Sequence, residues 1–357
     1  MMIETSPFFD IHKTETSRID QVDFDNLEFG RVFSDHLFLM EYENGSWQRG
    51  VIEPYGPFTM SPASMVFHYG QAIFEGMKAY RMSDGSVSLF RPGKNIQRFN
   101  KSAQRMCMPE VPEDVFMEAL AALVDLDQAW VPEGEASSLY IRPFMVATDA
   151  YVGVKASDKY AFSIFTCPVG AYYTGNVRVK VERKYTRATP GGTGYAKAAG
   201  NYAGSLYPSK LAREEGYDQL LWTDAVTHEY IEESGTMNAM FVMNGTLVSP
   251  ATSDTILDGV TRDSVIQLAQ DLNVPVEIRR LGVEELKTGL ANGVVTEAFG
   301  VGTAATIKPI AEIGIDGINY PLVDVDRADG LANRLLQELD GIRRGKIADR
   351  HGWNIPV

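Results

Sequence analysis

One lysine of this sequence stands in unusual company. The segment Gly191-Gly192-Thr193-Gly194-Tyr195-Ala196-Lys197-Ala198-Ala199-Gly200-Asn201-Tyr202 surrounds Lys197 with small and aromatic residues, and no carboxylate falls within ten positions on either side. Flanks so poor in polarity desolvate an ammonium and favour the neutral amine, the form that attacks a carbonyl. Lysines activated in this way form Schiff bases. The plain alternative is a surface lysine on a flexible loop. A second segment, Tyr230-Ile231-Glu232-Glu233-Ser234-Gly235-Thr236-Met237-Asn238, sets paired acids at the end of a predicted strand, ahead of a small polar turn. A pyridine-based cofactor wants a carboxylate on its ring nitrogen, an imine-forming lysine and a cradle for its phosphate. Candidates for all three are present, with an exposed acidic strand end as the competing reading of Glu232-Glu233.

Other chemical motifs fail on inspection. His228-Glu229-Tyr230-Ile231-Glu232 begins like the zinc-binding HExxH but carries Glu where the second His belongs, so no metal site is expected. Gly300-Val301-Gly302-Thr303-Ala304-Ala305 matches GxGxxA after a plausible strand. It runs on into Thr306-Ile307-Lys308-Pro309, where no helix can open under a pyrophosphate. What remains is a turn whose backbone N–H groups can hold an anion.

The elements that must position these residues follow from periodicity. Leu37–Met40 and Val87–Phe90 read as strands beside the turn pairs Asn44-Gly45 and Asp84-Gly85. Ile96, Phe99, Ala103 and Met106 predict a helix over 95–106, and Val115 to Val124 an apolar stripe within a helix over 112–130. Strands are expected near 139–147 and 160–166. Val177, Val179 and Val181 alternate with Arg178, Lys180 and Glu182 in a further strand. Asn244-Gly245 turns a hairpin within 240–248, and helices are expected over 261–272 and 331–346. The fold class is α/β (mixed α+β). Its predicted parts are a loosely held polar arm over 1–25, a small α+β domain over 26–167, a linker over 168–176 and a larger mixed domain over 177–357.

Composition bounds the rest. The 357 residues suit about two domains. A net charge of −14 disfavours nucleic acid and anionic membrane surfaces as partners, since no basic patch offsets it. Cys107 and Cys167 form no paired framework, which points to a reducing compartment. No signal peptide, transit peptide or membrane-spanning stretch is recognised, so a cytoplasmic protein is expected.

Taken in order, further strings make a specific set: Tyr69, then Phe74-Glu75-Gly76-Met77-Lys78-Ala79-Tyr80, Leu89-Phe90-Arg91-Pro92 and Asn95. Ser138-Leu139-Tyr140-Ile141-Arg142-Pro143, Cys167-Pro168-Val169-Gly170-Ala171-Tyr172, the Lys197 segment, Glu233 to Asn238 and Gly302-Thr303-Ala304 complete it. Together, over roughly residues 27 to 345, they resemble the branched-chain-amino-acid aminotransferases, pyridoxal-phosphate enzymes of fold type IV. The resemblance implies a small N-terminal and a larger C-terminal domain with pyridoxal 5'-phosphate at their interface.

It also implies roles. Lys197 would form the Schiff base with the cofactor and carry the catalytic proton. Glu233 would partner the pyridinium nitrogen and Tyr202 would stand beside the phenolic oxygen. Arg98, the amides of Val260 and Thr261, and Thr303 would hold the phosphate. Phe29, Tyr69, Phe74, Tyr140 and Thr236 would wall the substrate pocket. The Thr303-Ala304 turn would take the α-carboxylate and Arg142 the distal carboxylate of glutamate, a task suited to an arginine fork. Val152 and Val154 match a loop that closes the partner subunit's pocket, so a homodimer is implied. The positions of a thiol pair found in some mammalian members hold Ala305 and Lys308, so no such redox switch is expected. The expected activity moves the amino group of L-leucine, L-isoleucine or L-valine to 2-oxoglutarate. The alternatives are a D-amino-acid aminotransferase or an aminodeoxychorismate-type lyase of the same fold, or a catalytically dead relative. Tyr140-x-Arg142 speaks against the D-specific group, and the joint presence of Lys197, Glu233 and Arg98 speaks against a dead one.

Overall fold

The computed structural model describes residues 4–172, 175 and 177–357. Of the predicted linker, 173, 174 and 176 therefore lie outside the described residues. The chain divides into two compact units: 1–172 with 196–200 and 342–357, and 173–195 with 201–341.

The first unit is built on a sheet whose central strands are Ser138–Ala147 and Tyr160–Val169, antiparallel over ten residues. Tyr160–Val169 also pairs with His36–Glu43, and Ser138–Ala147 with Met77–Arg81 and Ala72–Phe74. The helices Pro92–Arg105 and Glu113–Leu126 bury Ile96, Phe99, Phe116 and Leu120 in a core with Phe38, Phe162 and Ile164. The second helix stops at Leu126, short of the predicted 130. Asp127 turns its carboxylate to the backbone N–H and the Nδ1 of buried His36, at 3.0 and 2.7 Å, and a short 3-10 turn completes the run to Trp130.

Three domain expectations need correction. Among the described residues, 4–25 do not form a loose arm: Phe9–Ile11 runs parallel to Gly50–Pro54, and Phe9 is buried against Phe38. Apolar Phe8 and Phe9 supply the burial that a polar average conceals. The linker does not begin at 168, because Pro168 and Val169 still pair with Leu139 and Ser138. Nor does 177–357 form one piece. Asn354–Pro356 adds a strand beside Val87–Phe90, and Arg344 Nη2 donates to the carbonyls of Glu135 and Ser137, which draws the C-terminus into the first unit.

In the second unit, six strands pair in a ring: Met237–Met243, Val295–Gly302, Thr306–Ile315, Val177–Glu182, Gln219–Thr223 and Tyr230–Ser234. Val177–Glu182 is parallel to both neighbours and the remaining pairings in the ring are antiparallel. The inward valines Val177, Val179 and Val181 meet Phe241, Ile310 and Ile313 in the core. Asn244 and Gly245 take φ 49° and 77°, the left-handed pair that a two-residue hairpin turn demands. The helices Val260–Asp271 and Leu331–Arg343 match their predicted spans closely.

Candidate functional site

Lys197 is gripped by its backbone within the first unit. Its N–H donates to Ser102 Oγ at 3.0 Å, and its carbonyl accepts from the N–H of Phe74 at 3.1 Å. Ser102 Oγ in turn donates to the carbonyl of Arg98 one helical turn earlier, at 2.9 Å. Asn95, Arg98 and Ser102 share one face of the helix Pro92–Arg105, at spacings of three and four. That face and the strand Ala72–Phe74 together fix where Lys197 begins. Its Nζ lies 4.8 Å from the centre of the Phe74 ring, and the Arg142 guanidinium carbon lies 4.8 Å from the same centre. Two cations thus share one aromatic side chain, an attraction the ring quadrupole supports.

Sequence reasoning missed the residue that organises this cluster. Glu75 is fully buried, and Arg98 grips it with Nε at 2.7 Å from Oε1 and Nη2 at 2.8 Å from Oε2. Asn95 Nδ2 and the N–H of Gly76 also donate to Oε2, at 2.8 and 3.1 Å. Burial would raise its carboxyl, but the Arg98 charge and hydrogen bonds outweigh burial, with Lys197 and Asn95 adding to them. Glu75 titrates below the usual carboxylate range. The available signal was a single acid inside the apolar run Ala72-Ile73-Phe74-Glu75-Gly76-Met77.

Phe29, Tyr140 and Arg142 also gather here. The Phe29 and Tyr140 rings are 5.0 Å apart edge to face, and Arg142 Nη2 donates to the Tyr140 hydroxyl at 3.1 Å. Tyr140, Arg142 and Phe144 alternate along one face of their strand. Across from Tyr140 sits Cys167, whose thiol burial pushes up to about 11 and which packs as an apolar group. Tyr69 ends the short helix Met65–Tyr69 and is partly exposed. That helix lies beside the loop bearing Val152 and Val154 through the Ser64–Ala150 bridge, and the two valines are 68% and 89% exposed.

The second unit holds the paired acids, and neither is exposed. Glu232 and Glu233 are both buried in the strand Tyr230–Ser234. Their delivery depends on Asp224, whose two oxygens accept from the N–H groups of Val226, Thr227, Glu229 and Tyr230 at 2.8 to 3.3 Å. Burial opposes ionisation of Asp224, yet these bonds hold it down at about 2. His228 lies in this same turn at φ 55°, with Nδ1 2.9 Å from Thr223 Oγ1. Among the described residues no group of His, Cys, Asp and Glu is arranged to hold a metal.

The two acids differ in environment. Glu233 Oε1 accepts from Asn238 Nδ2 at 3.1 Å and the N–H of Leu257 at 2.8 Å. Arg187 Nε lies 2.8 Å from Oε2, an ion-pair contact off the hydrogen-bond direction. Among the described residues, Glu232 receives only the Thr255 hydroxyl and its Oε2 has no hydrogen-bond partner; burial pushes its carboxyl up. Glu233 is therefore the acid set among several donors and a cation, and Arg187 is a second residue that the sequence did not mark. Asn238 also donates to the Leu257 carbonyl at 2.9 Å. A Cβ on Gly259 would fall 2.0 Å from Asn238 Oδ1, so only glycine fits at the start of the helix Val260–Asp271. That helix opens with Val260 and Thr261, where first-turn amides and the helix dipole favour an anion.

Thr303 and Ala304 occupy the tight turn between Val295–Gly302 and Thr306–Ile315, with Gly302 opposite Thr306. Thr306 takes φ 62°, a costly conformation for a β-branched residue. No helix follows, as expected of the false dinucleotide motif. Tyr202 lies on the short helix Ala199–Ala203, and Thr236 is exposed in the turn after Ser234. Lys197, Arg98, Phe74, Phe29, Tyr140 and Arg142 thus belong to the first unit. Glu233, Tyr202, Val260, Thr261, Thr236, Thr303 and Ala304 belong to the second.

Comparison with known proteins identifies the family. The profile of amino-transferase class IV covers residues 72–313. The branched-chain-amino-acid transaminase 1 of Bacillus subtilis (strain 168) is 47% identical over 343 residues, 95% of this chain and 96% of that protein. The crystal structure of the branched-chain aminotransferase from the archaeon Thermoproteus uzoniensis with norvaline superposes with a TM-score of 0.74 at 26% identity, covering 90% of this chain and 98% of that one. The branched-chain amino acid aminotransferase of Escherichia coli gives 0.72 at 27% identity, covering 90% and 98%. The chain belongs to the class IV amino-transferase family, with the mixed α/β fold of its fold type IV members.

Proposed function

We propose that this protein is a pyridoxal-phosphate-dependent branched-chain-amino-acid aminotransferase, moving the amino group of leucine, isoleucine or valine to 2-oxoglutarate. The single observation that carries the reading is Lys197, anchored at both backbone polar groups beside a buried arginine and an aromatic ring. The relatives at 42–47% identity bear this name over nearly their whole length.

The residues present fit the cofactor. Glu233, an acid among donors, suits a pyridine N–H. The glycine-initiated helix start at Val260 and Thr261, the Thr303 turn and Arg98 suit a phosphate, and Tyr202 suits the phenolic oxygen. When bound, pyridoxal phosphate supplies an electrophilic carbon and an electron sink. The chain does the rest. Lys197 would hold the cofactor through its Nζ and, once freed from it, would carry the proton to and from the substrate's Cα. Glu233 would keep a proton on the ring nitrogen, which would make the sink effective. Phe29, Tyr69, Phe74, Tyr140 and Thr236 exclude water around an aliphatic side chain. Arg142 receives the distal carboxylate of glutamate while the Thr303-Ala304 turn receives the α-carboxylate. The exposure of Val152 and Val154 supports a homodimer in which this loop completes the partner's pocket. Among the described residues no helix is long and apolar enough to cross a membrane, and the cytoplasm is the proposed location.

An amine-transfer assay to 2-oxoglutarate with leucine, D-alanine and phenylalanine as donors tests the activity. Leucine is expected to be the best donor, and preference for D-alanine would favour the D-specific reading. The purified protein should be yellow and Lys197→Ala colourless. A wild-type protein that takes up no pyridoxal phosphate would refute the cofactor assignment.

A further inference from the structure

The carboxylate of Glu75 has no part in the functional reading so far, and its burial demands an explanation. Removing a carboxylate from water is costly unless charge and hydrogen bonds replace the lost solvent. Here the replacement is complete: Arg98 spans both oxygens, and Asn95 and the Gly76 N–H take the rest. A two-point fork also fixes a plane. With Nε and Nη2 committed to Glu75, the Arg98 guanidinium has one orientation. Without the fork, a long side chain would sample several.

The same acid is tied to Lys197. Phe74, its neighbour in sequence, gives its N–H to the Lys197 carbonyl, and Ile73 bridges to Ala198. The charge of Glu75 also acts on that of Lys197. We propose that Glu75 is a positioning residue for the transamination site. It orients Arg98 toward the cofactor's phosphate. This rests on the reading that Lys197 and Arg98 serve pyridoxal phosphate.

The test compares Glu75→Gln and Glu75→Asp with wild type, using the apoprotein and two probes, pyridoxal 5'-phosphate and unphosphorylated pyridoxal. Glu75→Gln keeps the shape and removes the charge. It should weaken pyridoxal phosphate about tenfold or more while moving pyridoxal less than about threefold, the range expected from losing a charge-assisted hydrogen-bond pair. Glu75→Asp keeps the charge and shortens the reach, so it should lose phosphate preference as well. A merely structural residue would weaken both probes in equal ratio, and that outcome overturns the proposal. Should Glu75→Gln fail to fold, Glu75→Asp decides alone: unchanged phosphate preference refutes the inference. A wild-type protein that binds neither probe would instead refute the cofactor reading beneath it.

Discussion

The hydroxyl of Tyr140 occupies the space above Gly76 that any other side chain would need: a Cβ at 76 would fall 2.2 Å from that oxygen. The same hydroxyl accepts from Arg142 Nη2. Glycine at 76 is thus a condition for the placing of Arg142. Gly76→Ala should swing Tyr140 aside, at a stability cost of about 1–3 kcal/mol, and raise KM for 2-oxoglutarate more than for leucine. Steady-state kinetics with both substrates checks this, and an equal change in the two would show that Tyr140 does not set Arg142.

Arg142→Ala removes the fork itself. The expected loss in kcat/KM for glutamate is roughly 100-fold, against less than about fivefold for leucine, as for a site that loses a charged hydrogen-bond partner on one substrate only. Single-turnover measurements of each half-reaction separate the two. Equal losses would place the distal carboxylate elsewhere.

Ser102→Ala leaves the Lys197 N–H and the Arg98 carbonyl without the hydroxyl that joins them. A cost of about 1–2 kcal/mol in unfolding free energy is expected. The larger effect should be on the rate of proton transfer, since the lysine's backbone loses one of its two anchors. Denaturant unfolding and the substrate kinetic isotope effect at Cα report the two separately. An unchanged isotope effect together with unchanged stability would mean that the bond is idle.

Asp224 links pH to the strand of acids. Its folded value of about 2 lies below the usual 3.8. A depressed carboxylate contributes stability that is fully present above about pH 4 and is lost as pH falls toward 2. The shift is worth about 2 kcal/mol. Asp224→Asn should therefore be less stable than wild type at neutral pH, with the gap closing between about pH 4 and pH 2. Chemical denaturation across that range measures it, and a gap constant with pH would exclude the ionised form as its source.

Much of this was legible in the sequence. Lys197 stands out because its flanks are depleted of charge over a long stretch, and a local signal survives folding. The hairpin at Asn244-Gly245, the strand Val177–Glu182 and both long helices of the first unit rest on turn chemistry and period, which are likewise local. Glu75 and Arg187 were not visible because their meaning lies in partners distant along the chain: Arg98 sits on the helix Pro92–Arg105, and Glu233 is several elements away from Arg187. A single acid in an apolar run looks like an interruption until its cation arrives. The arm over 1–25 was misjudged for a related reason: its average polarity hid Phe9, whose burial is decided by Phe38 and the strand Gly50–Pro54.

Residues 196–200 belong to the first unit although the chain on both sides belongs to the second. A fragment ending at Tyr172 would keep the Ser102 hydroxyl and the Phe74 N–H with no lysine to hold. One beginning at Tyr173 would keep the lysine with nothing to hold it. No single cut of the polypeptide there yields a half with the complete anchorage, so co-expressed pieces must reassemble before either can react. Reconstitution of colour from two such pieces would serve as a direct reporter of that assembly.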